Sequence, residues 1–401
     1  MVDFRSEFRS AISWDMKEMK PQYKTYHPYV QTRMTPDIID EDSRISRKRV
    51  IFHVDMDHFF SAVEEREKPS IKSWPVVVGA DPRQGKGRGV VKTCNYKARA
   101  YGIQSGMPIS RAWTLCPNAI YLQANYRLYK QTSKGIMKIL KKYSEKFQQW
   151  GLDEAFLDMT NQVRSYDEAT RLAINIKHEI LWSQQLTCSV GVAPNKLVAK
   201  IASDFKKPDG LTVVEPDVVV RFLDPLPVRR LLWVGKKTET QMVEMGIRTI
   251  GDIAVYDTVK LIEKFGSMGL RYYKFARGIY ESEVGGRRGM VKSVGHETTF
   301  GENTDEINVI DNRLHDICER VHKRIVERGI LFKTVTLKIR YSNFRTNTHA
   351  KTLTSFTKRL KDLENAVHLL IQQYLDRNNK IRLLGVRVTN LISNSGQATL
   401  A

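Results

Sequence analysis

The chain is poor in cysteine. Its 401 residues hold four, Cys94, Cys116, Cys188 and Cys318, and no two form a Cys-x-x-Cys pair. Neither a zinc ribbon nor a disulfide framework is expected, and reduced structural thiols are the simpler account. Long apolar runs are missing too. None approaches the ~20 residues that span a bilayer, and the polar N-terminus lacks the apolar stretch of a secretory signal, so a cytoplasmic protein is expected. Acid is absent in two places: no Asp or Glu occurs from Pro82 to Ser144 or from Leu331 to Lys361.

What is there is base. Lys and Arg number 65 against 44 Asp and Glu, a formal net charge of +21. A surplus of that size suits a polyanionic partner, because each neutralised phosphate releases condensed counterions. The acid-free stretches concentrate it. Arg83, Lys86, Arg88, Lys92, Lys97 and Arg99 lie in the first, and Lys333, Lys338, Arg340 and Lys351 in the second. Ordinary solvated faces mix both signs, so these read as phosphate-facing surfaces.

Length predicts several domains. Residues 1–48 form a poorly patterned leader. The apolar run Val50–Val54 ends in Asp55 and reads as a buried strand, with a helix following from Asp57 as its N-cap. Pro75–Gly79 is a second strand, Thr93–Tyr101 a helix stopped by Gly102, and Asn125–Lys146 a long amphipathic helix. Phe147–Asp158 alternates and places Asp153 and Glu154 at the turn of a hairpin. A helix over Asp167–Ser183, a strand over Leu186–Val192 and a helix over Asn195–Phe205 complete a layered α/β domain, 49–224. Short helices with glycine turns fill 225–286. Val234–Thr238 with Met245–Asp252 there suggests a helix-hairpin-helix, a unit whose amides hold a DNA phosphate without reading sequence. A linker at 287–291 leads to a βαββαβ α+β domain at 292–392, with a tail at 393–401.

Asp55 ends one strand, and Asp153 and Glu154 follow in a hairpin about a hundred residues later. Acids at strand ends share a cleft, and a few carboxylates plus substrate oxygens suffice to hold Mg²⁺ for phosphoryl transfer. Spacing alone is a weak signal, and the neighbouring residues carry more. His53-Val54-Asp55-Met56-Asp57-His58-Phe59-Phe60-Ser61-Ala62-Val63-Glu64-Glu65 resembles the opening palm motif of Y-family DNA polymerases, close to the DNA polymerase IV branch. Gly151–Asp158 resembles that family's second metal motif, and Cys94–Ile103 its triphosphate-binding finger helix. Ser189–Lys196, leading into Ala199–Asp204 and Lys207–Gly210, resembles a further signature. The likeness spans about Arg49 to Leu391.

The resemblance implies a right-hand polymerase: a palm with inserted fingers (about 66–125), a small helical thumb and a little finger that clasps duplex DNA. It implies low-fidelity, lesion-bypassing synthesis without a proofreading exonuclease. It implies Asp55, Asp153 and Glu154 as ligands of two Mg²⁺, with Met56 lending a backbone carbonyl. Tyr96, Arg99 and Lys200 are implied as grips on the incoming dNTP triphosphate, Phe60 as the gate against a ribose 2′-hydroxyl, and Phe59 beside it. Lys236 in the thumb, with Lys338, Arg340 and Lys351 in the little finger, are expected to meet primer-template DNA. His53 and His58 are set aside as ligands, since hard Mg²⁺ prefers oxygen. A monomer associated with the nucleoid is expected.

Three departures stand out. Gly151 replaces a frequent serine, and Trp233 stands where the first thumb-hairpin glycine is usual, which puts that loop's phosphate geometry in doubt. The tail Gln397-Ala398-Thr399-Leu400-Ala401 begins like a sliding-clamp-binding peptide but lacks its aromatics. Two other classes share features with this reading. A nucleotide cyclase can use a palm with paired acids but needs no DNA-clasping domain, and a non-catalytic DNA-binding scaffold could dispense with an acid.

Overall fold

A computed structural model describes residues 49–285, 291–376 and 378–393. In chain order the first half runs β1 (Ile51–Met56), α1 (Phe59–Glu67), β2 (Val76–Gly79), β3 (Val91–Cys94), α2 (Tyr96–Ala100), α3 (Ile109–Leu115), β4 (Ile120–Gln123), α4 (Tyr126–Leu140), β5 (Phe147–Gln149), β6 (Glu154–Asp158), α5 (Tyr166–Gln184), β7 (Cys188–Ala193), α6 (Lys196–Phe205) and β8 (Leu211–Val213). Short helices α7 (Val219–Leu223), α8 (Lys236–Glu244), α9 (Ile250–Val255), α10 (Thr258–Phe265) and α11 (Ser267–Ala276) follow. Then come β9 (Val294–Thr304), α12 (Ile307–Glu327), β10 (Ile330–Tyr341), β11 (Thr346–Thr357), α13 (Leu360–Tyr374) and β12 (Ile381–Ser393).

The first sheet has the order β5-β6-β1-β7-β8, with β1 at its centre and antiparallel to both neighbours. All six β1 residues are buried, which is why the strand reads as an unbroken apolar run rather than an alternation. Its two faces still differ. Phe52, Val54 and Met56 enter a core with α1, α4 and α5 residues, whereas Ile51 packs on the other side with α6 and the α7–α11 helices. By the strand period, His53 and Asp55 share the Ile51 face. On that face α6 comes unusually close. A Cβ on Gly191 of β7, the residue opposite His53, would stand 2.0 Å from the Ala199 carbonyl oxygen. Only glycine there lets α6 settle against the sheet and bring Lys200 over β1.

The second sheet, β3-β2-β4, encloses a small core of its own around Val77, Ile103 and Ile109. The third, β11-β10-β12-β9, carries α12 and α13 on one face, in the expected βαββαβ order.

Four local expectations need correction. Asp57 is not a helix cap. His58 holds that position with φ 37°, and α1 begins at Phe59. The 93–101 segment starts as strand, because Val91–Cys94 pairs with β2, and the helix begins only after Asn95, whose side chain caps it at the Ala98 amide. The 125–146 helix stops at Leu140. The helix expected over Asp167–Ser183 runs slightly longer at both ends, with Ser165 capping the Glu168 amide. The leader and the clamp-like tail lie outside the described residues.

Candidate active site and nucleic-acid face

Asp55 and Glu154 are direct partners in the β1–β6 register, and the Met56 amide donates to the Asp153 carbonyl at 3.0 Å. The hairpin thus brings all three acids to one end of the sheet. Lys200 closes it from α6. Its ammonium lies 2.6 Å from Asp55 Oδ2 and 2.8 Å from Glu154 Oε2. Lys207 lies 2.6 Å from Asp55 Oδ1 and 2.9 Å from Asp204 Oδ1.

Protonation follows from these contacts. Burial, then the Asp55 and Glu154 charges, push the Asp153 carboxyl up to about 6. Burial alone would raise Glu154 as well, but His53 and Lys200 outweigh it and hold Glu154 down. Lys200 stays charged: burial opposes the charge, and the Asp55, Asp204 and Glu154 carboxylates more than restore it.

Donor atoms of His53, Asp55 and Glu154 lie within 4.8 Å of one another. The Asp153 carboxylate is not in that group. His53 is fully buried, and its Nδ1 meets Ser203 Oγ at 2.8 Å. Its Nε2 sits 3.2 Å from Glu154 Oε2. Burial lowers the His53 pKa, and the neighbouring Glu154 and Asp55 carboxylates oppose that shift.

Asp57 offers no free oxygen. Oδ1 accepts from Ser189 Oγ and Oδ2 from the Asp209 amide, each at 2.8 Å. It therefore pins the 206–210 loop to the strand ends. Tyr96 and Arg99 share one side of α2, with the guanidinium 4.6 Å over the Tyr96 ring. The Tyr96 hydroxyl is buried without a hydrogen-bond partner. Its ring meets His58 edge-on at 5.2 Å. Phe59 is 3% exposed and belongs to the core, while Phe60 is half-buried and stacks on Tyr129.

Sequence reasoning quoted Asp204 and Lys207 only as part of a signature and gave them no role, and it read Asp57 as a helix cap rather than as a tie to the 206–210 loop. A signal was present for Asp204, which stands four residues after Lys200 on the same side of one helix.

Residues 54–204 match the impB/mucB/samB family, and residues 291–400 match the impB/mucB/samB family C-terminal domain. DNA polymerase IV 2 of Methanosarcina mazei is 46% identical over 355 residues, covering 88% of this chain and 96% of that protein. Among solved structures, a Y-family DNA polymerase chimera of Dbh and Dpo4 superposes with TM-score 0.76 at 31% identity, covering 86% of this chain and 100% of that one. An insertion ternary complex of Dbh DNA polymerase aligns with TM-score 0.60 at 31% identity, over the same shares.

The chain belongs to the Y-family DNA polymerases, in the DNA polymerase IV branch.

The thumb of this polymerase holds Lys236 at the first position of α8, after Gly235. Trp233 just before it takes the left-handed φ of 66°, a conformation suited to the glycine usual in the family. In the little finger, β10 alternates between faces. Val335, Leu337, Ile339 and Tyr341 are fully buried against α12 and α13, which turns Thr336, Lys338 and Arg340 to the open face. Gly385 and Arg387 of β12 join them by register. Thr336, Lys338, Gly385 and Arg387, with Gly295 and Glu297, line a shallow groove, where Lys338 meets Glu297 at 2.7 Å. Lys351 pairs with Val335 and so stands on the other side of edge strand β11 from Lys338 and Arg340. Among the described residues no helix is long and apolar enough to cross a membrane.

Proposed function

We propose that this polymerase adds dNTPs to a primer 3′ end at Asp55, Asp153 and Glu154, with two Mg²⁺ ions as cofactors. The chain is a DNA-directed DNA polymerase of low fidelity, as its family membership implies. The observation that carries the site assignment is the Lys200 ammonium shared between Asp55 and Glu154 at 2.6 and 2.8 Å. Two carboxylates on neighbouring strands already converge on one cation, and hard oxygen donors of this kind suit Mg²⁺. When bound, the ions would supply an acidified 3′-hydroxyl and neutralise the triphosphate.

The protein's own groups do the rest. Asp55 and Glu154 hold the charge, and Asp153 joins them from the hairpin turn, with Met56 lending its carbonyl. Tyr96, Arg99 and Lys200 receive the phosphates. The unpartnered Tyr96 hydroxyl supports this, as a buried donor without an acceptor is costly unless a ligand supplies one. Phe60 lies under the sugar, with Phe59 packed behind it. Lys236, Lys338 and Arg340 meet DNA phosphates, while Lys351 on the opposite face of the sheet is left out of that contact. A monomer working at the nucleoid completes the reading.

Primer extension on undamaged and lesion-bearing templates tests it. Wild type should extend both with Mg²⁺, and Asp55→Ala or Asp153→Ala should lose roughly 10³-fold or more in rate, the scale of transition-state charge stabilisation by bound ions. DNA binding should remain. Extension by either variant at the wild-type rate would remove the assignment, and binding without extension by wild type would leave only a scaffold.

A further inference from the structure

Trp150 is a large apolar ring left in water beside the acids. It is 51% exposed, and it stands on the hairpin arm just before Gly151, its amide donating to the Glu154 carbonyl at 3.0 Å. Single exposed apolar residues are ordinary on a protein surface, but this one is held and aimed. Its indole meets the Phe156 ring edge-on, with centroids 5.6 Å apart and planes at 83°. Phe156 is buried in turn, tilted on His53 at 4.4 Å, with the Lys196 ammonium 5.8 Å over its ring. Gln149 ties the turn by donating to the Gly151 carbonyl at 2.7 Å. A ring supported on one side and wet on the other has a surface to offer.

The sheet register says what reaches that surface. Alternate residues of a strand share a face, so Glu154 and Phe156 of β6 lie on one face, together with their β1 partners Asp55 and His53. Phe156 belongs to the core that the thumb helices share. Trp150 therefore packs on the acid-bearing, thumb-side face, at the level of His53, two residues before Asp55. The fingers lie the other way. Tyr96, whose ring meets His58, follows the opposite end of β1, and the triphosphate is assigned to Tyr96 and Arg99. In-line transfer sets the attacking oxygen opposite the leaving pyrophosphate, so the primer end arrives from the side on which Trp150 stands. Gly151 puts no side chain in its way, and a Cβ there would already stand 3.1 Å from Asp153 Oδ1.

We propose that Trp150 is a platform for the primer 3′ end: its indole packs on the deoxyribose of the last primer nucleotides and holds the 3′-hydroxyl at the acids. Bases within a duplex are already stacked on one another, so the primer offers the palm its sugars rather than its base faces. The apolar edge of a deoxyribose suits an aromatic surface left in water. The inference rests on the polymerase reading for the place of the primer.

Equilibrium binding of a labelled primer-template to the full chain, followed by fluorescence anisotropy without dNTP, tests it. Trp150→Ala should bind about tenfold more weakly than wild type, which corresponds to roughly half of the exposed indole surface returned to water. Trp150→Phe should recover most of the loss. A 2′-O-methyl group on the last two primer sugars gives a readout that a merely structural role would not move. It should weaken wild-type binding by a comparable factor and leave Trp150→Ala nearly unchanged, because the contact it blocks is already gone. Unchanged affinity in Trp150→Ala, with a wild-type melting temperature, overturns the platform. So does an equal cost of the methyl groups in both proteins, since the indole would then not touch the sugars. Extension of the unmodified primer by wild type with Mg²⁺ separates the two layers. If wild type extends it while either of those results is seen, the polymerase stands and the platform falls. If wild type binds the primer and does not extend it, the reading beneath the platform fails.

Discussion

The rings of Phe60 and Tyr129 lie 4.3 Å apart and 11° from parallel, so the residue assigned as sugar gate is braced from behind. Tyr129 is itself immobile: it is fully buried, and its hydroxyl donates to Glu64 Oε1 at 2.5 Å. Successive helix residues point about 100° apart, which is why Phe59 goes to the core while Phe60 keeps an open side. A stacked ring cannot swing aside for a 2′-hydroxyl without losing its partner. Phe60→Ala should therefore admit ribonucleotides while dNTP incorporation survives. It should also cost about 2 kcal/mol of stability, from half a buried ring plus one aromatic pair. Comparing rNTP with dNTP incorporation alongside a melting curve checks both. Unchanged sugar discrimination in a folded variant would retire the gate.

Arg88 makes a bridge of a different kind. Its guanidinium leaves the glycine-rich loop after β2 and donates to the Phe300 carbonyl at 3.2 Å and to Asn303 Oδ1 at 2.8 Å, both on β9. Gly87 allows this, because a Cβ there would stand 2.1 Å from the Asp81 carbonyl oxygen. Arg88 and Arg340 also help depress the pKa of Arg382, after burial, so three guanidinium groups gather where this loop meets the little finger. Arg88→Ala should shorten the products made per binding event by up to about tenfold, one charged hydrogen bond's worth. Single-nucleotide incorporation should change little. Extension under a DNA trap measures the first and rapid quench the second; equal product lengths would show that the bridge does not hold the DNA.

Much of this was legible because the signals were local. The apolar run ending in Asp55 could only be a buried strand, and the alternation of Phe147–Asp158 with its acidic turn could only be a hairpin. What escaped depends on partners far along the chain. Asp57 looked like a helix cap because its neighbours suit one, yet its oxygens go to Ser189 and Asp209, more than a hundred residues away. Lys207 lies just beyond the end of α6, where helical spacing is no longer a safe guide. Lys351 shares a basic stretch with Lys338 and Arg340, and only the pairing with Val335 reveals which way it faces.

The thumb offers a test by pH. Asp252 completes a capping box on α9, accepting from the Arg248 and Thr249 amides at 2.8 Å each, and these bonds lower its pKa. A carboxyl depressed in the folded state contributes stability above its unfolded pKa, about 3.9, and loses it as pH falls through the folded value. Asp252→Ala should therefore lower stability by about 1 kcal/mol at neutral pH. The gap to wild type should be constant down to about pH 4 and narrow below it. Melting curves across that range check the sign. A gap that widens on acidification would mean that the carboxylate is not the stabilising form.

Trp233 reverses an ordinary expectation. Glycine normally destabilises relative to alanine by roughly 0.5–1 kcal/mol, through unfolded-chain entropy. At φ 66° the balance tips, because a residue with a Cβ pays about 1–2 kcal/mol for the left-handed region and glycine does not. The indole offsets that strain by packing on Phe275 at 5.4 Å and Tyr280 at 6.2 Å. Its carbonyl accepts from the Tyr272 hydroxyl at 3.3 Å, a contact that any residue here would keep. Trp233→Ala removes the packing and keeps the strain, so it should be the least stable of the three. Trp233→Gly removes both and should fall between alanine and wild type, or match wild type. The same ordering should appear in hydrogen exchange of the α8 amides, since this turn positions the start of that helix. Alanine proving more stable than glycine, by calorimetry at one pH, would mean that the backbone at 233 relaxes out of the left-handed region once the indole is gone. The departure from the usual glycine would then be a matter of ring packing alone.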